Sequence, residues 1–180
     1  MIGPRLAAIV GPSGVGKDSL IAGLAAADAR LRPLRRVITR PADDTEPFVS
    51  ASNAQFDAQL AEGAFLLHWG AHGLRYGVPR AELVALAPDQ TGLVNLSRSV
   101  LGQAAASVPS LLVLSVTAPP HVLARRLAGR GRETGQQIAA RLDRPRPAPP
   151  PGVVVVPIDN GGSLDQAVGS ALAALAERVP

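Results

Sequence analysis

Gly11 to Leu20 reads GPSGVGKDSL. The spacing of Gly11, Gly16 and Lys17 is that of a loop GxxxxGK(S/T), whose backbone N–H groups turn inward around phosphate oxygens. Gly11, Gly14 and Gly16 supply the turns, Pro12, Ser13 and Val15 complete the loop, and Lys17 is placed to bridge β- and γ-phosphates. The flanks decide the fold. Arg5 to Val10, RLAAIV, is a short apolar run of the buried-strand kind. Lys17 to about Arg30 has helical periodicity, with Leu20, Ile21 and Leu24 on its inner side. Strand, glycine loop and helix follow in the order a phosphate loop requires, and the positive end of the helix dipole adds to the anion site.

One position departs from the pattern. After Lys17, where a metal-binding hydroxyl is expected, stands Asp18, and the first hydroxyl is Ser19. An acid in the first turn of a helix is favoured by the dipole by several tenths of a kcal/mol. Repulsion between a carboxylate and a triphosphate a few ångströms away exceeds that gain unless a cation lies between them. The usual second acidic partner of such a metal ends a later strand, and neither VNLS (94–97) nor VLSV (113–116) offers an acid. Asp18 is therefore expected to hold Mg²⁺, directly or through water, beside bound ATP.

Of the 18 lysines and arginines only one is lysine, and it is Lys17. A chain that uses arginine everywhere else has kept the compact ammonium where a glycine loop would wrap a phosphate, a place too tight for the planar guanidinium. Although the formal net charge is +4, the arginines sit in short groups among acids. Aromatics are 3% of the chain, too few for a stacking platform, so nucleic-acid binding is not expected.

At 180 residues, 47% hydrophobic and 18% charged, the chain suits a single domain spanning 1–180, with a core of Leu, Val, Ile and Ala. No apolar run reaches the roughly 20 residues that cross a bilayer, and MIGPRLAAIVG runs directly into the glycine loop without a cleavable signal pattern. A cytoplasmic protein with no membrane partner is expected. The absence of cysteine excludes disulfides and thiolate metal sites. A homodimer is compatible with the composition.

Apolar runs alternate with helical patterns, which predicts an α/β fold with a parallel five-stranded sheet flanked by helices. Arg36 to Thr39, Gly92 to Leu96 and Leu111 to Val116 read as further strands, and Gly152 to Pro157, with VVVV, as a last interior one. Ser52 and Gln55 form a capping box that opens a helix, with Phe56, Leu60 and Phe65 supplying apolar contacts. A helix is expected from about Pro119 to Ala128, and another from Thr134, capped with Gln137. Ser163 and Gln166 cap a final helix whose Leu164, Val168, Leu172 and Leu175 share one face. Arg144 to Gly152, RPRPAPPPG, is a proline-rich surface connector.

Two arginine groups remain. LARRLAGRGRETGQQIAARL carries Arg125, Arg126, Arg130, Arg132 and Arg141 around Gly129, Gly131 and Gly135. Phosphoryl transfer needs pre-placed cations and exclusion of water, so Arg130 and Arg141, with Arg132 as a further candidate, read as a mobile lid. Arg125 and Arg144 read as solvated. Between the second and third strands lie Arg36, Arg40, Arg75, Tyr76, Asn95, Ser97 and Arg98. Basic and hydroxyl side chains there suit an anionic, phosphorylated acceptor, whose ionised oxygen attacks without a general base. Asp43, Asp44 and Glu46 would supply a base for an alcohol acceptor, bind a sugar's hydroxyls, or be solvated loop acids. His68 and His72 read as packing or loop residues.

Assembled, GPSGVGK, ITRP, FLL…GLRYGV and RLAGRGRE…IAARL resemble the guanylate kinase branch of the P-loop kinases over about Arg5 to Leu142. The resemblance implies an acceptor-binding insertion at about 36–90 and an arginine lid at about 129–143. It also places Arg40 and Tyr76 on the acceptor phosphate, and Arg130 and Arg141 on the transferring phosphates. The departures narrow it. PADDTE lacks the second arginine that guanylate kinases carry, Leu67 stands where their guanine-reading glutamate would be, and Asn95 replaces their strand-end aspartate. Phosphate-reading groups are kept and base-reading groups are lost.

In this the chain is similar to the ribose 1,5-bisphosphate phosphokinase family, whose members carry a GKDS loop and the ITR, GLxYGV and RGRE patterns. That resemblance implies ATP-dependent phosphorylation of the 1-phosphate of ribose 1,5-bisphosphate to 5-phosphoribosyl 1-diphosphate (PRPP), as in phosphonate metabolism, with Arg98 a candidate for the acceptor's other phosphate. A nucleoside monophosphate kinase, a sugar-alcohol kinase and an inactive guanylate kinase-like binding module are the alternatives. Loss of the glutamate, the absence of an evident base, and retention of Lys17 and the lid arginines respectively speak against them.

Overall fold

The computed structural model describes residues 5–41, 47–129 and 148–177. Its centre is β1 (Arg5–Val10), flanked in the sheet by β7 (Thr91–Asn95) and β8 (Leu111–Thr117). The outer strands are β2 (Leu31–Pro33) beyond β7 and β9 (Val154–Asp159) beyond β8. All four pairings are parallel, so the expected five-stranded parallel sheet is present, although its fifth strand is β2 and not the expected Arg36 to Thr39, which falls in a second sheet.

Burial on both faces explains the strand composition. On one face Ala7, Ile9, Leu93, Leu112, Leu114 and Val116 pack with α1 (Lys17–Ala27) and α6 (Leu164–Ala176). On the other, Leu6, Ala8, Val10, Val94 and Val113 meet α4 (Leu101–Ser107) and a second sheet. The alternation along β1 assigns successive residues to opposite cores.

The second sheet has the order β4-β3-β6-β5: β4 is Phe48–Ser50, β3 Arg36–Ile38, β6 Leu74–Pro79 and β5 Phe65–Ala71. Of its strands the sequence reading found only β3. β5 and β6 form an antiparallel hairpin turned at His72 and Gly73, both at positive φ (54° and 73°), as a two-residue hairpin turn demands. Leu66, Leu67 and Val78 press its inner face onto the parallel sheet, and α2 (Asn53–Ala61), with the expected Ser52–Gln55 capping box, covers the other. Phe56 and Phe65 stack there with centroids 4.5 Å apart. Gly77 of the GLRYGV motif faces the Phe65 ring so closely that any Cβ would run into it.

Three further sequence expectations change. The first helix ends at Ala27, because Asp28 caps it extended and turns the chain into β2. The VVVV strand is an edge strand: β9 pairs only with β8, leaves Val154 exposed, and carries Pro157, which has no N–H to give to an outer neighbour. On α6 the buried stripe is Ala167, Ala171, Ala174 and Leu175, while Leu164 is exposed. Small residues let α6 lie close against α1. The lid and Thr134 helix expectations fall outside the described residues, as do Asp43, Asp44, Glu46 and residues 144–147 of the proline connector. Among the described residues no helix is long and apolar enough to cross a membrane.

The remaining elements are α3 (Arg80–Val84), a short 3₁₀ turn at Arg98–Val100, and α5 (Pro120–Gly129). Since β7 and β8 lie on either side of β1, their C-terminal ends part around the loop that follows β1. A parallel sheet presents its ligand crevice at this switch point.

Candidate active site

The glycine loop joins β1 to α1 as expected. Gly16 caps α1 in the left-handed region (φ 91°) without any side-chain cap, so the N–H groups of the first turn are open to an anion. Lys17 folds back over the loop, its Nζ donating to the carbonyls of Gly11 (3.0 Å) and Pro12 (3.1 Å). Behind the loop, two side chains donate to the carbonyl of Val15: Asn160 Nδ2 at 2.7 Å and Arg126 Nη1 at 3.3 Å. Asn160 is 4% exposed, and its own N–H bonds the carbonyl of Thr117 at the end of β8. A Cβ on Gly16 would stand 2.6 Å from Asn160 Nδ2. Loop, β8 and the start of α6 are thus fastened at one point.

Two cavities open on either side of the loop. One, of about 340 Å³, is lined by Gly14, Gly16, Ser19, Arg126, Asn160 and Leu164. The other, of about 360 Å³, lies between the loop and the second sheet. Gly11, Ser13 and Lys17 form one wall, Arg36, Trp69 and Tyr76 another, and Asn95, Ser97, Arg98 and Ser99 the end. His72, in the hairpin turn where a loop residue was expected, also reaches it. None of the described lining residues is a carboxylate.

Strand geometry arranges this second cavity. Trp69 and Tyr76 are cross-strand partners and stack at 5.2 Å with rings 7° from parallel. The Arg36 guanidinium lies 5.7 Å from the Tyr76 ring on the β3 side. Arg36 is buried, and its Nη1 donates to the carbonyl of Asn95 at 3.1 Å, which ties the second sheet to the end of β7. Ser97 and Ser99 hydroxyls bond at 2.8 Å.

Asp18 meets Asn95: the Asn95 amide donates to Asp18 Oδ1 at 2.9 Å. The two also line a smaller recess of about 120 Å³ with Arg36 and Pro47. The amide fixes one carboxylate oxygen and leaves the other open on an exposed side chain. Among the described residues no group of three or more His, Cys, Asp or Glu side chains gathers to form a separate metal site.

Most of the expected site residues therefore come together: Gly11, Pro12, Ser13, Gly14, Val15, Gly16, Lys17, Asp18 and Ser19 in and around the loop, and Arg36, Tyr76, Asn95, Ser97 and Arg98 around the cavity beyond it. Arg40 does not join them. Its guanidinium lies 4.5 Å from the Phe48 ring centre, outside both cavity linings. Arg75 points the opposite way from Tyr76, as neighbours in a strand must, pairing with Asp57 at 2.7 Å and covering Phe56. Arg130, Arg132, Arg141 and Glu46 lie outside the described residues. Sequence reasoning missed Trp69, Ser99 and Asn160, and named Arg126 in the arginine group without giving it a role. For Trp69 the signal was available, since the chain has one tryptophan and one tyrosine and both lie in one short hairpin.

No protein-family model matches the chain. Among solved structures it is similar to a guanylate kinase from Anaplasma phagocytophilum (TM-score 0.67, 15% identity, 99% of this chain and 88% of the other). It is also similar to a gluconokinase from Sinorhizobium meliloti 1021 (TM-score 0.59, 21% identity, 99% and 95%). At these identities the likeness speaks for the fold, which is guanylate kinase-like. Curated relatives are much nearer. A protein of Ruegeria sp. strain TM1040 named ribose 1,5-bisphosphate phosphokinase PhnN is 52% identical over 180 residues, 98% of this chain and 94% of the relative. One of the same name from Burkholderia pseudomallei is 43% identical over 180 residues, 98% and 97%. A bifunctional ribose 1,5-bisphosphokinase-thymidine phosphorylase of Azorhizobium caulinodans is 46% identical over 171 residues, which are 93% of this chain and 25% of that longer protein. With identities this high over almost the whole length, the chain belongs to the ribose 1,5-bisphosphate phosphokinase family.

Proposed function

We propose that this chain transfers the γ-phosphoryl group of ATP to the 1-phosphate of ribose 1,5-bisphosphate, giving PRPP and ADP. The observation that carries the reading is the cavity beyond the loop, furnished with cations, hydroxyls and an aromatic pair, and without a carboxylate among its described lining residues. An alcohol acceptor calls for a positioned base, whereas an ionised phosphate oxygen does not. Leu67, standing where guanylate kinases carry a guanine-reading acid, is wholly buried in the core. The name shared by relatives up to 52% identical supports the same reaction.

In this reading the phosphate chain of ATP lies along the loop between the two cavities. The adenosine occupies the side of Arg126, Asn160 and Leu164, and the γ-phosphate faces the acceptor. An oxygen of the acceptor phosphate bonds to the γ-phosphorus as the bridging bond to the β-phosphate breaks, and ADP leaves with that electron pair. Lys17 and the open N–H groups of α1 hold the transferring phosphate. Arg36, Tyr76 and Arg98 hold the acceptor's phosphates, with Asn95 and Ser97 on its hydroxyls. Arg40 would join only if the second sheet closes on the substrate. Arg130 and Arg141 are assigned to the transferring phosphates by the family's pattern, Arg132 is a further lid candidate, and Glu46 is assigned to the sugar's hydroxyls.

Asp18 fits a magnesium ion. One exposed carboxylate oxygen is open and its partner is steadied by Asn95, and Mg²⁺ needs only one or two carboxylates because it keeps several waters. When bound there with ATP, the ion would offset charge between Asp18 and the phosphates. We place the reaction in the cytoplasm, where ATP and phosphorylated sugars occur.

The test is ADP release by purified protein with ATP and Mg²⁺, comparing ribose 1,5-bisphosphate, GMP, AMP and gluconate. Turnover should be confined to ribose 1,5-bisphosphate. A preference for GMP overturns the substrate assignment, and silence with every acceptor overturns the activity.

A further inference from the structure

Trp69 has no role in the phosphate chemistry, yet it lies in the cavity. We propose that its ring, backed by Tyr76, is the platform on which the acceptor's sugar ring rests, so that Trp69 selects a furanose carrying phosphates. The inference builds on the acceptor class proposed above.

Three observations converge. The chain's only tryptophan and only tyrosine both line the cavity and stack on each other, while all other large side chains of the core are aliphatic or Phe. Trp69 is half-buried and packs against the core cluster beneath the hairpin, which fixes its ring plane before any ligand arrives. Across the strands, Arg36, Tyr76 and Trp69 follow one another from β3 through β6 to β5, so a charged end passes into an apolar one along a single wall.

A sugar bisphosphate has matching parts. Its phosphates need cations, which Lys17, Arg36 and Arg98 supply. Its ring has a C–H face needing an apolar surface and hydroxyls needing donors, and an indole offers both, a flat face and an N–H at the edge. A purine would also stack. The cavity lining, however, holds no described carboxylate to accept from a guanine edge.

A single tryptophan makes the test direct. Its emission should fall saturably as ribose 1,5-bisphosphate is added without ATP, and should not respond to inorganic phosphate. Trp69→Leu should raise the acceptor KM up to about tenfold, the scale of losing one aromatic contact, with the ATP KM unchanged and a lower melting temperature from the lost packing on the hairpin. Trp69→Phe, which keeps the face and loses only the N–H, should lie nearer to wild type. The platform is overturned by emission that ignores the sugar while turnover saturates normally, by a wild-type acceptor KM in both variants, or by stronger quenching with GMP than with the sugar. Because the titration needs no turnover, the two readings separate. Quenching by ribose 1,5-bisphosphate without ADP release strikes the proposed reaction and upholds the platform, and turnover without quenching does the reverse.

Discussion

Lys17 and Asp18 are neighbours with opposite charges and different tasks. The ammonium lies on two loop carbonyls, a polar seat that adds nothing to the hydrophobic core. Lys17→Ala should therefore lower kcat about 10²–10³-fold, the scale of removing one preorganised charge from a transition state. Its thermal melt should overlay wild type, and a collapse in melting temperature would show that the ammonium serves the fold instead. Asp18 is held by Asn95 at one oxygen, which leaves the other for a cation. Asp18→Asn keeps the shape and loses the charge, so the Mg²⁺ concentration for half-maximal rate should rise about tenfold, as when metal sites lose a supporting group. An unchanged magnesium response in both Asp18→Asn and Asp18→Ala would remove the residue from that role. Both residues were legible because a loop motif fixes each position by spacing. Trp69 carried a signal, as the single tryptophan close to the single tyrosine, but one aromatic in an apolar stretch reads as core until the opposite strand is known.

The elements that hold the loop were harder to read than the loop itself. Asn160 follows an apolar strand and precedes two glycines, a context that suggests only a turn, yet its amide fastens the Val15 carbonyl at 2.7 Å. Asn160→Ala leaves that carbonyl with Arg126 as its remaining side-chain donor and opens space behind Gly16. The expected cost is about 1–3 kcal/mol of stability with a raised ATP KM and an unchanged acceptor KM, measured by melting and by two-substrate kinetics. An acceptor KM that moves equally would show that the fastening is not specific to the donor side. At the other end of α1, Asp28 is pulled down to about 2, first by the Arg30 side-chain hydrogen bond and then by its backbone N–H. A depressed carboxyl contributes stability above its ordinary pKa of 3.8 and loses it as pH falls toward 2. The melting difference between wild type and Asp28→Asn should thus be level near neutrality and close below about pH 4. A difference that persists at pH 2 would assign the effect to capping geometry. The second sheet was the larger omission: β4 has three residues, and the β5–β6 hairpin turns on His-Gly, not the more familiar Asn-Gly or Asp-Gly. Without the hairpin, Arg75 and Tyr76 looked like one group, although the pleat sends them to opposite faces.

Across the molecule, the parallel sheet and the second sheet do different work. The three central strands of the first were legible because both of their faces are buried and their sequences are largely apolar, whereas its edge strand β2, Leu-Arg-Pro with two exposed residues, was not. The second has one face turned to the cavity, so its residues mix Trp, Tyr, Arg and His with the apolar set and the period of two is obscured. The glycine loop is the shared wall of the two cavities, with Asn160 lining the one proposed for the nucleotide and Trp69 the one proposed for the acceptor. Each ligand should then stabilise the fold on its own. A non-hydrolysable ATP analogue with Mg²⁺ at about 100 times its Kd contributes about 2.7 kcal/mol, which for a chain of this length raises the melting temperature by about 5–10 °C. Ribose 1,5-bisphosphate should add a separate increment. Trp69→Leu should diminish the sugar's increment and spare the nucleotide's, and Asn160→Ala should diminish the nucleotide's and spare the sugar's. Loss of both increments in either single variant would mean that the cavities form one cooperative site, with the loop acting as a hinge that both ligands must close and no longer as a fixed partition.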